Sequence, residues 1–153
     1  MISPEIVDVE RAQQRWADML ISIGEAYTVN RDFQSVARLF VEKMYGYREG
    51  VVLFKPTCSN VFRPTAEGAL SYFIGGDQEY PEDSGFALHP WKDVRFENAG
   101  YIFNKNQAVT MGHYYFTGLD GEELKVEFTI GWFRIRKGVL KIHLHHSSLP
   151  YSK

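Results

Sequence analysis

Apolar and polar residues follow two different periods along this chain, and the period changes once. From Pro4 to Tyr27 the residues Ile6, Val9, Ala12, Trp16, Met19, Leu20, Ile23 and Tyr27 recur at three- and four-residue spacing. That spacing predicts an amphipathic helix of about six turns with Pro4 in its first turn. A second helix is predicted from Asp32 through Val36, Leu39, Phe40, Lys43 and Met44, ending before Gly46. Val51 to Thr57 is a short β-rich run stopped by Pro56, and Asn60-Val61-Phe62-Arg63 is the expected return strand of a hairpin. Thr65 stands where an N-cap would, with Gly68 at the third helical position, which predicts a short third helix over 66–74 that stops at Gly75-Gly76. The acidic, proline- and glycine-containing stretch 77–90 reads as a loop.

From Trp91 onward the period is two. Four strands are predicted over 93–104, 107–117, 123–136 and 139–147, joined by turns such as Asp120-Gly121 and Lys137-Gly138. In the third of them Leu124, Val126, Phe128, Ile130 and Trp132 share a face opposite Lys125, Glu127 and Thr129, so one side of the sheet is buried. Helix, helix, hairpin, helix and a long antiparallel meander make an α+β fold: a cone-shaped, curved antiparallel sheet covered by about three helices from the N-terminal half, with 1–153 as one domain. Eleven Phe, nine Tyr and three Trp suit a strongly curved sheet with a deep interior.

A formal net charge of −2 and the lack of any Lys/Arg run give no electrostatic basis for binding nucleic acid or an anionic membrane. No segment approaches the roughly 20 apolar residues that span a bilayer, and the first residues lack a basic region followed by an apolar stretch. Cys58 is the only cysteine, which excludes an intrachain disulfide and a cysteine-rich zinc site. The expectation is a cytoplasmic protein.

The last predicted strand changes chemistry as it ends, from Leu140 and Ile142 to His145-His146-Ser147-Ser148. A strand that exchanges apolar side chains for polar ones marks the place where a core opens into a pocket. Strict alternation puts Leu140, Ile142, Leu144, His146 and Ser148 inward, and Lys141, His143, His145 and Ser147 outward. A bulge before Pro150 would bring Ser147 round instead.

The order of elements resembles the nuclear-transport-factor-like (NTF2-like, SnoaL-like or cystatin-like) superfamily. The ending 143–150 is similar to the terminal strand of the calmodulin-dependent kinase II association domain. Three motifs together, Leu53-Phe54-Lys55-Pro56-Thr57, Gly68-Ala69-Leu70-Ser71-Tyr72-Phe73 and His145-His146-Ser147-Ser148, resemble the iota-class carbonic anhydrases, in particular the algal and cyanobacterial branch that works without a metal. The resemblance covers nearly the whole chain, and its motifs are more specific than its fold, which also hosts isomerases, dehydratases and binding modules. It implies reversible hydration of CO₂ to bicarbonate with no cofactor and no metal. It also implies that bicarbonate is held by hydroxyls from three separate places: Thr57, Tyr72, and Ser147 or Ser148. The motif match favours Ser147 and alternation favours Ser148.

The residues must meet the demands of that chemistry. Hydrating CO₂ needs an apolar place for a neutral molecule, donors for charge growing on its oxygens, and a water made nucleophilic. Phenylalanines and leucines of the cone face supply the first, and Thr57, Tyr72 and the serines supply the second. Without a metal the water keeps a pKa of about 15.7, against about 7 on a catalytic zinc, so its deprotonation must accompany attack. His146 is the expected proton acceptor, or the group that orients a hydroxyl relay. Each residue also has a plainer role: Thr57 as a strand end, and Tyr72 as a packed aromatic with one satisfied hydroxyl. By the same token His143 and His145 are surface or interface groups, His89 and His113 have no role, and Cys58 is a small buried residue.

Two rival readings remain open. His143 and His145, two apart on a strand, have a spacing that zinc-dependent carbonic anhydrases use, although no third ligand is placed by sequence and the pair is on the face away from the pocket. A non-enzymatic assembly or carboxylate-binding module would favour inward arginines, but Arg63, Arg95, Arg134 and Arg136 do not fall on inward positions, while Ile130 and Trp132 make an apolar wall. Tyr101, Phe103 and Phe133 on the second face of the sheet suggest a homodimer.

Overall fold

The structure is a computed structural model that describes residues 3–135 and 138–153. Two long helices lead, as the three- and four-residue spacing requires: α1 spans Ile6–Thr28 and α2 spans Phe33–Met44. Asp32 caps α2 by accepting from the Ser35 amide at 3.1 Å. A third helix, α3 (Ala66–Ile74), is capped by the Thr65 hydroxyl, which accepts from the Gly68 amide at 3.1 Å.

The expected hairpin at 51–63 does not form. β1 (Leu53–Lys55) instead pairs in parallel with the last strand, β5 (Leu140–Ser148), with Phe54 opposite His145. Residues 60–63 touch β1 through one backbone bond, Arg63 N–H to the Phe54 carbonyl at 2.9 Å. Parallel pairing lets Phe54 enter the core beside His145, and Pro56 removes the donor that a longer ladder would need. Within the 77–90 loop, a single 3₁₀ turn at Phe86–Leu88 places Phe86 against Tyr72 and Phe116, with ring centroids 5.7 and 4.9 Å away.

β2 (Trp91–Asn104), β3 (Gln107–Gly118), β4 (Glu123–Arg134) and β5 follow as antiparallel neighbours, giving the sheet order β1-β5-β4-β3-β2. The extension of the fourth strand to Arg136 and the Lys137 side of the following turn fall outside the described residues. Besides a register shift at the start of β2, between Trp91 and Asp93, two irregularities shape the sheet. In β2 the register shifts between Asn98 and Gly100, opposite Gly112. A Cβ on Gly112 would lie 2.1 Å from the Glu97 carbonyl oxygen, so only glycine permits the strands to approach closely at this bend.

The second irregularity lies between β4 and β5, where Leu144 pairs with Gly131 and Ile142 with Trp132, leaving His143 as the extra residue. This bulge inverts the alternation above it. Leu140 and Ile142 are buried, as expected, but beyond the bulge His145 and Ser147 turn into the cone, while His146 faces out.

The helices cover the concave face, and Trp16 of α1 sits at the centre of the core. Its indole contacts the rings of Phe40, Phe73, Phe96, Tyr114, Phe116 and His145, all within 6.5 Å between centroids. No helix among the described residues is long and apolar enough to cross a membrane.

Candidate active site

A cavity of about 260 Å³ opens in the cone above Trp16. Phe54, Phe73, Phe86, Phe116, Leu124, Val126 and Leu149 make its apolar walls, and Thr57, Tyr72, Tyr114, His145 and Ser147 supply its polar atoms. Among the described residues that line it there is no Lys, Arg, Asp or Glu. Such a space favours a neutral solute over an ion, because an unpaired charge loses its hydration there.

Each hydroxyl arrives from a different element. Thr57 follows β1 and the rigid Pro56. Its Oγ1 is buried without a hydrogen-bond partner, one of two such side-chain atoms among the described residues; the other, the Trp132 indole nitrogen, lies outside the cavity lining. Buried polar atoms are normally satisfied, so an orphan on a cavity wall marks a place for a ligand. Tyr72 projects from α3, and burial raises its phenol above the ordinary range and keeps it protonated. Ser147 enters from β5 beyond the bulge and is 5% exposed.

Behind Ser147 runs a buried hydrogen-bond chain whose direction is set at its far end. The Trp16 indole nitrogen can only donate, and it meets the Tyr45 hydroxyl oxygen at 3.2 Å. The Tyr45 proton then has one acceptor, His145 Nδ1 at 2.9 Å. His145 must therefore carry its proton on Nε2, which donates to the Tyr114 hydroxyl oxygen at 3.1 Å. Tyr114 in turn donates to Ser147 Oγ, which leaves the serine proton free for the cavity. Burial, with a smaller contribution from the neighbouring His146, lowers the His145 pKa to about 3, so the imidazole stays neutral. Burial likewise raises the Tyr45 and Tyr114 phenols. The chain is made of neutral groups and presents Ser147 as a hydrogen-bond donor.

The backbone explains how these groups meet. α2 ends at Met44, and Tyr45 then forms a bridge to Ile142 with Gly46 N–H on the Ile142 carbonyl at 2.9 Å, which fixes the Tyr45 ring beneath His145. Tyr114 lies on the inward row of β3 with Ala108, Thr110 and Phe116.

Of the residues expected from the sequence, the structure brings Thr57, Tyr72 and Ser147 to one cavity. His146 and Ser148 are not there. They line a shallow depression on the outer face with His113, Glu127 and Thr129, because the His143 bulge shifts the inward set by one residue. The two histidines of the metal rival also part company: His145 turns inward while His143 packs over Gly131 and against Phe133 on the other side. No group of three or more His, Cys, Asp or Glu side chains among the described residues converges to hold an ion. Arg63, expected to be away from the interior, is fully buried, though on an ion pair outside the cavity. Sequence reasoning missed Tyr114, although alternation along β3 would have found it. It also missed Tyr45 and Trp16, whose polar atoms meet His145 only through tertiary packing.

Known proteins bear on this arrangement. The family profile described as metal-independent carbonic anhydrase matches residues 7–149. A metal-independent carbonic anhydrase from Nostoc sp. is 38% identical over 151 residues, covering 95% of this chain and 74% of that protein. A crystal structure of the iota-carbonic anhydrase from a cyanobacterium, complexed with bicarbonate, superposes with a TM-score of 0.95 at 38% identity, over 99% of this chain and 95% of that one. A chain from Xanthomonas campestris named for the calcium/calmodulin dependent protein kinase II association domain has a TM-score of 0.61 at 20% identity, over 98% and 91% of the two chains, and so shares the fold alone. With a family profile over nearly its whole length and a relative of this identity, the chain belongs to the metal-independent carbonic anhydrases.

Proposed function

We propose that the reaction of this family, reversible hydration of CO₂ to bicarbonate, runs in the cone cavity with Thr57, Tyr72 and Ser147 holding the oxygens. The observation that carries this reading is the convergence of three hydroxyls on one apolar space. One of them has an orphaned oxygen, and another is turned into a donor by a buried chain. The relative crystallised with bicarbonate supports it. The apolar walls admit neutral CO₂, and Ser147 and Tyr72 donate to the oxygens as charge develops on them. Thr57, whose hydroxyl oxygen is buried without a hydrogen-bond partner, accepts a proton from the attacking water and passes its own to a substrate oxygen. A carbon–oxygen bond forms, one water O–H bond breaks and one substrate O–H bond forms. The product leaves as carbonic acid and loses its proton to solvent.

Loss of ¹⁸O from labelled CO₂, followed by mass spectrometry on chelator-treated protein, tests this reading. The protein should accelerate the loss, and Ser147→Ala should cost about 10²–10³-fold, as removal of one oxyanion donor does. Ser148→Ala should cost nothing. A loss no faster than in buffer, or equal losses in both serine variants, refutes the assignment.

We further infer a homodimer through the outer face of the sheet, where Ile102 and Met111 are 70% and 54% exposed; Tyr101 and Phe103, expected on that face, pair with the inward Thr110 and Ala108 and so lie on the helix-covered side. Light scattering that finds a monomer at micromolar concentration would overturn it. A single cysteine and no possible internal disulfide fit a reducing, cytoplasmic setting.

A further inference from the structure

The two segments that carry Thr57 and Tyr72 are joined by the buried charged side chain of Arg63. Arg63 is 0% exposed. Its Nη1 donates to Asp83 Oδ2 at 2.7 Å and to the Gly68 carbonyl at 2.8 Å, Nη2 donates to Asp83 Oδ1 at 2.8 Å, and Nε donates to the Asn60 carbonyl at 2.9 Å. Nη2 also lies 3.4 Å from Cys58 Sγ, next to Thr57, and the Tyr80 ring covers the guanidinium at 4.1 Å. Asp83 has a second partner: Ser71 Oγ, next to Tyr72, donates to it at 2.6 Å. Gly75 adopts φ +68° where a Cβ would lie 2.9 Å from the Asp83 carbonyl, so the loop folds tightly back on α3.

A buried ion pair is weak evidence for stability, since an apolar replacement often serves as well. What Arg63 offers instead is geometry. A planar fork of five donors can bind the 58–60 turn, the first turn of α3 and Asp83 at once, which a lysine cannot. We propose that Arg63 and Asp83 are positioning residues that set the distance between the Thr57 and Tyr72 hydroxyls, and thereby the affinity for bicarbonate. This rests on the assignment of those two hydroxyls to bicarbonate.

The test is the bicarbonate Kd, from ¹³C line broadening, on variants shown to be folded by circular dichroism. Thr57→Val and Tyr72→Phe probe the site itself; if neither weakens binding, the site assignment fails. Given that they do, Arg63→Lys should weaken binding about tenfold, the equivalent of one charge-accepting hydrogen bond. Ser71→Ala, which leaves the ion pair and the core intact, should weaken it about threefold. In a Tyr72→Phe background Ser71→Ala should change Kd by less than about 1.5-fold, because its effect passes through Tyr72. Wild-type affinity in Ser71→Ala, or the same factor in both backgrounds, overturns the clamp while leaving the site assignment standing. If Arg63→Lys does not fold, the Ser71 cycle decides the matter alone.

Discussion

Thr57→Val separates a structural threonine from a functional one, because the two accounts predict opposite signs. Valine keeps the shape of threonine and replaces only the hydroxyl, whose oxygen is buried with no partner. A buried hydroxyl without a hydrogen bond costs about 1–3 kcal/mol, so its removal should stabilise the fold by an amount in that range. For a chain of this length 1 kcal/mol corresponds to about 2–4 °C, giving a rise in Tm of roughly 2–12 °C. Activity should move the other way. If Thr57 hands a proton between water and CO₂, its loss should lower kcat/KM for hydration by about 10²–10³-fold, read in a stopped-flow pH-indicator assay. Thr57→Ser should restore most of the activity and remove the gain in Tm. A Thr57→Val protein that melts below the parent, or that hydrates CO₂ at the parental rate, refutes the reasoning.

Three further outcomes follow from the same geometry. Tyr114→Phe leaves the His145 Nε2 proton without its acceptor and frees Ser147 to rotate, so stability should fall by about 1–3 kcal/mol in denaturant titration and hydration by about tenfold. His145, with its pKa lowered to about 3, refuses a proton that the unfolded chain accepts near 6.5, so its contribution to stability is complete above about pH 6.5 and is lost as pH falls from there towards 3. The slope is at most about 1.4 kcal/mol per pH unit, and in Tm measured from pH 7 to 5 it should flatten in His145→Gln. His146→Ala should keep hydration activity within about twofold of the parent, since the side chain stands on the outer face; a larger loss would mean that the face of β5 has been misassigned.

Most of the scaffold was legible in the chain because local signals and packing agree. The period of α1, the start of α2 at Asp32, the Thr65 cap and the alternation of β4 all survive into the structure. The hairpin at 51–63 failed because its apolar run, ended by proline, says that a strand is present but not which strand it pairs with. The face of the last strand failed for a sharper reason. One extra residue, His143, reverses every later side chain, and no feature of 139–148 distinguishes a bulged from a regular strand. Polar partners brought from far along the chain, such as Tyr45 to His145, leave no local trace at all.

The reversal at His143 also decides what kind of chemistry the cavity can run. A histidine inside the cone invites the role of general base, but burial has removed that role: with a pKa of about 3 it cannot keep a proton taken from water. Moving a proton from a water of pKa about 15.7 to such an imidazole spans roughly 13 units, or about 17 kcal/mol before carbon is attacked. A barrier of that size alone limits turnover to about one per second. Stepwise deprotonation through Ser147, Tyr114 and His145 is therefore too slow to be the main route. What the imidazole does instead is hold direction. Neutral and fixed between Tyr45 and Tyr114, it makes the serine a donor that never competes for the water's proton. Under the proposed assignment the proton travels to a substrate oxygen while the carbon–oxygen bond forms, and among the described residues Thr57 is the hydroxyl on the cavity wall whose oxygen is buried without a hydrogen-bond partner.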